Sequence, residues 1–161
     1  MSKGGKIMSI IEKGQKAPEF DLTNQRGDHI KLSDYKGKYV LLSWHPLAFT
    51  PVCTDQMRDL EANYGFFTDH NTEVLGMSVD PQPSKKVWAE TLCLSNLNIL
   101  SDFKPLGEVS KAYGVWQEHS GSSGRAVVLV GPDGTVLWSH KYEDSIKPDI
   151  EKIKEIVSRC K

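Results

Sequence analysis

Cysteine is scarce in this chain. Three occur in 161 residues, at positions 53, 93 and 160. So sparse and odd a set is not the disulfide framework of a small secreted domain. No Cys-x-x-Cys pair is present, which argues against a thioredoxin-style dithiol and against a zinc knuckle. Charge of one sign is also lacking. Twenty Lys and Arg face 21 Asp and Glu, so electrostatics favour neither nucleic acid nor an anionic membrane as a partner. No apolar run approaches spanning length. Residues 1–8 lack the apolar centre and cleavage site of a signal peptide, so the expected compartment is the cytoplasm. Residues 1–13 read as a flexible tail and 14–161 as one domain, long enough for a real core. His29, His70, His119 and His140 have no metal-ligand spacing, and no metal or other cofactor is expected.

One reactive thiol remains as the organising feature, and Cys53 is best placed for it. The apolar run Tyr39–Trp44 reads as a buried strand. Met57, Leu60, Tyr64 and Phe67 follow at helical spacing on the side of Cys53. Thr50 suits a helix N-cap and Pro51 the first helical position. Cys53 then lies in the first turn, beside unpaired backbone N–H groups and the positive end of the helix dipole. That position favours the thiolate, the nucleophilic form. A buried cysteine acting as a small hydrophobe fits the same pattern equally well.

The remaining chain alternates in type. Residues 19–34 read as a hairpin turning at 24–28, and 39–44 as the first core strand. A helix is expected over 51–67 and a strand over 73–79, giving a βαβ unit with a parallel pair. Ser84 caps a helix reaching Thr91, 98–101 form a short strand, and Pro105 opens a helix ending before Gly114. The polar stretch Gln117–Gly124 reads as a mobile loop. Strands over 125–130 and 135–140 flank the turn Pro132-Asp133-Gly134. A final helix over 148–159 places Ile150, Ile153, Ile156 and Val157 on one face. A βαβ unit, an antiparallel hairpin and a last helix make an α/β thioredoxin-like fold with a mixed central sheet. The N-terminal hairpin and the helices within 84–113 are additions to it.

Pro46-xxx-Thr50-xx-Cys53 resembles the peroxiredoxin active-site motif P-x-x-x-(T/S)-x-x-C. Residues 78–90, 99–115 and Gly124-Arg125-Ala126 resemble the same family. The resemblance runs from about Gly14 to Val157 and is nearest the bacterial alkyl hydroperoxide reductase E type. It implies a thiol peroxidase acting on hydrogen peroxide and organic hydroperoxides. Cys53 would attack a peroxide oxygen and become a sulfenic acid. An ordinary cysteine of pKa ~8.5 is only about 3% thiolate at pH 7. Full ionisation therefore gains only ~30-fold, and the site must also bind the peroxide and stabilise the departing oxygen.

Thr50 can accept from the peroxide and donate toward the thiolate, besides capping the helix. Position alone makes Arg125 a strand-start arginine in a surface ion pair. The resemblance makes it the catalytic arginine, whose planar fork can contact sulfur and peroxide together. Pro46 shapes the loop and shields the thiolate. His45 stands where the family usually has an aromatic residue, and either packs or titrates near the thiolate. Gln56 stands where glutamate is common, which puts a carboxylate-anchored arginine in doubt. Trp88 reads as core or interface packing, with lining of the pocket as a lesser role.

The family resemblance further implies a homodimer and a thiol reductant. The alkyl hydroperoxide reductase E type implies resolution by an external thiol: a thioredoxin, a glutaredoxin-like protein or a low-molecular-weight thiol. Cys93 is the next candidate for resolving Cys53, and Cys160 the third. A thioredoxin-fold binding or chaperone module without turnover is the competing class, and it has no need of Thr50, Cys53 and Arg125 together.

Overall fold

A computed structural model describes residues 9–160. Its centre is a seven-stranded mixed sheet, ordered β2-β1-β5-β4-β3-β8-β9. The strands are β1 (Asp21–Thr23), β2 (His29–Lys31), β3 (Tyr39–Trp44), β4 (Thr72–Ser78), β5 (Asn98–Ser101), β8 (Arg125–Val130) and β9 (Val136–Tyr142). β6 (Trp116–Gln117) and β7 (Ser122–Ser123) pair separately. Strands β3, β4 and β5 run parallel, while β8 runs antiparallel to β3. The expected N-terminal hairpin is β1–β2, joined to the β5 edge through Thr23 and Ser101.

β3 is buried on both faces, and its residues divide by strand alternation. Leu41 packs with Met57, Phe67, Trp88 and Ile153 under the helices α1 (Pro51–Ala62), α2 (Tyr64–Asp69), α3 (Gln82–Leu92) and α5 (Ile150–Arg159). Val40, Leu42 and Trp44 face the opposite core with Phe20, Tyr113 and Val128, on the side of α4 (Glu108–Ala112).

Several expected boundaries move. The helix expected over 51–67 is two helices broken at Asn63, whose side-chain amide donates to the Asp59 carbonyl at 2.8 Å. The apolar spacing continues across the break, so periodicity misses it. α3 begins at Gln82, with Ser84 inside the helix rather than capping it. α4 begins at Glu108 instead of Pro105, because Gly107 is left-handed at φ 70° and buried Asp102 accepts from the Val109 and Ser110 N–H groups. The segment 117–124 is the short β6–β7 hairpin, with Ser122 and Ser123 buried, rather than an open loop. The tail expected over 1–13 does not extend through its last residues: Ile11 is buried and its N–H donates to the Tyr113 carbonyl at 3.0 Å. Residues 1–8 lie outside those described.

Candidate active site

α1 leaves the C-terminal end of β3, the edge of a parallel sheet where crossover helices begin and ligands collect. Thr50 is its N-cap in extended conformation, Pro51 its first residue and Cys53 its third. The Thr50 side chain does not cap. Its hydroxyl donates to the Leu47 carbonyl at 2.8 Å, tying down the loop that precedes the helix. That single proton is therefore spent on Leu47, and the oxygen is left as an acceptor. Cys53 is completely buried.

Antiparallel pairing explains why Arg125, 72 residues away in sequence, reaches Cys53. Trp44 at the end of β3 pairs with Ala126 near the start of β8. Arg125, at the start of β8, therefore lies level with the chain leaving β3. Its Nη1 donates to Cys53 Sγ at 3.3 Å and to Gln56 Oε1 at 2.6 Å. Its Nε and Nη2 donate to the Asp144 carbonyl at 3.1 and 2.7 Å. The guanidinium is thus clamped on two sides and only 3% exposed.

Gln56 does the holding that its lack of charge had put in doubt. Its amide nitrogen donates to Ser43 Oγ at 2.7 Å and to the Trp44 carbonyl at 3.1 Å. Those two acceptors fix the amide so that Oε1 points at Arg125. An oxygen acceptor at the right place suffices, without a carboxylate.

His45 follows β3 and is fully buried, its ring 5.1 Å from that of Trp88. Neither ring nitrogen has a hydrogen-bond partner. Burial, reinforced by the Lys85 and Arg125 charges, holds it well below the ordinary histidine range. It is a neutral packed ring at physiological pH, so packing is the role the geometry supports. Trp88 is likewise buried, between His45 and the half-exposed Phe49 at 6.1 Å. Pro46 is half-buried, and the loop beyond it exposes Leu47 and Phe49.

The other two thiols stand apart in environment. Cys93 is exposed, at the left-handed C-cap of α3. Cys160 ends α5, with its Sγ donating to the Ile156 carbonyl at 3.4 Å. All three cysteines are free. Among the described residues no cluster of His, Cys, Asp and Glu could hold a metal ion. Also among them, no helix is long and apolar enough to cross a membrane.

Sequence reasoning missed a buried polar group on the α3 side. Lys85 is completely buried and donates from Nζ to Ser78 Oγ at 2.7 Å. Ser78 donates to Asp80 Oδ2 at 2.6 Å, which also accepts from the Ala48 N–H at 2.9 Å. The signal lay in α3 itself. Lys85, Trp88, Ala89 and Leu92 are spaced as one inward stripe, and the first of them is a lysine.

Comparison with known proteins fits this geometry. The profile of the AhpC/TSA family matches residues 13–139. The chain belongs to the AhpC/TSA family, the peroxiredoxins. Alkyl hydroperoxide reductase E of Mycobacterium tuberculosis is 37% identical over 131 residues, covering 81% of this chain and 85% of the relative. Peroxiredoxin 2 of Picrophilus torridus is 33% identical over 144 residues, 87% of this chain and 71% of the relative. Peroxiredoxin Bcp of Bacillus subtilis is 31% identical over 156 residues, covering 91% and 97%. Among solved structures, Enterococcus faecalis AhpC superposes with a TM-score of 0.85 at 25% identity, covering 91% of this chain and 90% of that one. The reduced 2-Cys peroxiredoxin of Plasmodium vivax gives 0.83 at 30% identity, covering 92% and 81%. The fold is thus the thioredoxin-like one of these proteins. As a peroxiredoxin the chain is a thiol-dependent peroxidase, an antioxidant oxidoreductase that takes a peroxide and a thiol reductant.

Proposed function

We propose that Cys53 is the peroxide-reducing thiol, with Arg125, Thr50 and Pro46 completing the site. The Arg125–Cys53 contact at 3.3 Å is the observation that carries this reading. The thiolate attacks the near oxygen of hydrogen peroxide or an organic hydroperoxide. The S–O bond forms as the O–O bond breaks, sulfur is oxidised by two electrons, and the departing oxygen takes up a proton and leaves as water or alcohol. Arg125 holds the thiolate through Nη1 and supplies charge where the departing oxygen turns negative. Its orientation is set beforehand by Gln56 and the Asp144 carbonyl, so no reorganisation is needed during the reaction. The Thr50 oxygen accepts from the peroxide O–H. Pro46 shapes the approach loop. The test is peroxide consumption with dithiothreitol as reductant: Cys53→Ser abolishes it with the fold intact, and substantial activity in that variant contradicts the assignment.

The sulfenic acid is resolved by an external thiol, which attacks the sulfur, expels water and forms a mixed disulfide. A second thiol then releases Cys53. The reductant is a thioredoxin, a glutaredoxin-like protein or a low-molecular-weight thiol. Burial of Cys53 in an intact helix turn supports this, because a bridge to Cys93 requires the first turns of α1 to unwind. The exposure of Cys93 favours the second reading, a Cys53–Cys93 disulfide. Intact mass after one equivalent of peroxide without reductant separates them. A quantitative disulfide lost in Cys93→Ser supports the second, and a persisting sulfenic acid the first.

The enzyme works in the cytoplasm as a homodimer, with one domain that takes in the packed residues 9–13 as well, and without nucleic acid as a partner. Leu47 and Phe49 on the loop and Val87 on α3 are exposed apolar residues near the site, the composition a dimer contact needs.

A further inference from the structure

We propose that Lys85 is a positioning residue for the peroxidase reaction: a second buried cation that holds the Cys53 loop through Ser78 and Asp80 and favours the thiolate. The inference rests on Cys53 as the reacting thiol.

A lysine with no exposed surface is unusual, because taking an ammonium out of water is costly unless charge compensates it. The compensation here converges on the active site. Nζ donates to Ser78 Oγ at 2.7 Å. A hydroxyl has one proton, and Ser78 gives it to Asp80 Oδ2 at 2.6 Å. The order is therefore directed: ammonium to hydroxyl to carboxylate. The same carboxylate oxygen accepts from the Ala48 N–H at 2.9 Å, in the middle of the Pro46–Thr50 loop. Asp80 is itself pinned, since its carbonyl accepts from Ser101 Oγ at 2.6 Å. Lys85 thus polarises the bond that fixes the loop from which α1 springs.

The charged and titratable groups acting on Lys85 come from every side. Asp80 follows β4, Asp102 follows β5 and Cys53 lies in α1, and all three favour its charge. Burial opposes it and brings the ammonium down to about 8. His45, after β3, is neutral and lies in the field of both Lys85 and Arg125. A Cys53 thiolate therefore lies in the field of two buried cations, Arg125 in contact with it and Lys85 acting without contact. Thermodynamic linkage makes the effect reciprocal: whatever the thiolate does for the Lys85 charge, that charge does for the thiolate.

Two measurements test this. The first follows the Lys85 side chain by NMR of 13C-labelled lysine from pH 6 to 10, in the reduced enzyme and in Cys53→Ser. The Lys85 titration midpoint falls in the variant, which has no thiolate. Equal midpoints overturn the proposal, and this readout does not depend on peroxide turnover. The second compares the pH profile of peroxide oxidation in Lys85→Met with that of the parent. The midpoint rises by about one pH unit, a tenfold loss of rate below it that alkali recovers, while the loss from the loosened loop persists at every pH. A parent-like profile overturns the proposal. Where Lys85→Met does not fold, Ser78→Ala replaces it: the buried amine stays, the relay is cut, and the oxidation rate drops several-fold at every pH. An unchanged rate in Ser78→Ala overturns the loop-holding role. Peroxide turnover that survives Cys53→Ser would instead remove the assignment of the thiol, a result distinct from either of these.

Discussion

At the residue scale the hydrogen bonds around Cys53 fix the orientation of Arg125 on two sides. Arg125 has five N–H donors, and four of its hydrogen bonds go to fixed partners, among them Cys53 Sγ. Gln56→Leu removes one anchor while leaving the cation in place. A lost hydrogen bond to a charged group is worth about 1.5–3 kcal/mol, so oxidation of Cys53 slows roughly 10- to 150-fold. Stopped-flow oxidation by hydrogen peroxide reads this directly, and a parent-like rate contradicts the anchoring role. His45 acts on stability. Its folded-state value lies below the ordinary 6.5, so the unfolded chain binds a proton that the folded chain refuses. Stability is then full above about pH 6.5 and falls as pH drops, by up to ~1.4 kcal/mol per unit. Urea unfolding at pH 7 and pH 5 measures it, and His45→Phe flattens that part of the slope. An unchanged slope in the variant would place the titration elsewhere. The proximity of Arg125 to Cys53 was expected from the family resemblance and not from spacing, since only the pairing of β3 with β8 brings the two together. Gln56 was legible as a neighbour of the site, but its hold on Arg125 through an amide oxygen was not, because that depends on geometry. Lys85 went unseen because burial of a lysine is set by the Ser78–Asp80 partners, which only the fold brings near.

At the element scale, the seating of α1 on the sheet decides where Cys53 sits. A Cβ built on Gly76 of β4 would come within 2.7 Å of Met57 Sδ and 2.9 Å of Ile99 Cγ2. Gly76 is therefore what lets α1 lie close to the strand. Gly76→Ala overpacks this contact at a cost of about 1–3 kcal/mol, and lowers peroxidase activity by lifting α1 and its cysteine. Chemical denaturation with activity in the same samples tests it; full stability with full activity contradicts the close-seating argument. The strands were readable, since apolar runs such as Val40–Leu42 of β3 and Ala126–Val130 of β8 admit few other structures. Helix starts were not. The α4 start is fixed by Asp102, whose carboxylate reaches N–H groups seven and eight residues on, and the α1 end by a local bond from Asn63. Neither competes visibly in an apolar pattern. The β6–β7 hairpin hid in a run of glycine and serine. Ser123 is buried there because its hydroxyl donates to the His45 carbonyl at 3.0 Å, a partner 78 residues away.

At the scale of the whole molecule, the thioredoxin-like topology brings the end of β3 and the start of β8 to one edge, so a thiol and a guanidinium distant in sequence meet without a dedicated loop. That topology was legible from element order alone, while the depth at which the thiol is buried was not. Burial has a consequence for assembly. The exposed Leu47, Phe49 and Val87 lie around the covered thiol, and sedimentation velocity over a range of concentrations is expected to show a dimer that Phe49→Asp weakens. A monomer throughout contradicts the homodimer. In the proposed reaction peroxide oxidises Cys53, beside Arg125, before any other thiol. Its most direct test is rapid mixing with one equivalent of hydrogen peroxide, trapping with a sulfenic-acid reagent, and peptide mapping by mass spectrometry. The predicted result is label on the peptide carrying Cys53 at the earliest times, strongly slowed in Arg125→Ala. Early label on Cys93 or Cys160, with Cys53 still a free thiol, would rule out Cys53 as the peroxide-reducing thiol.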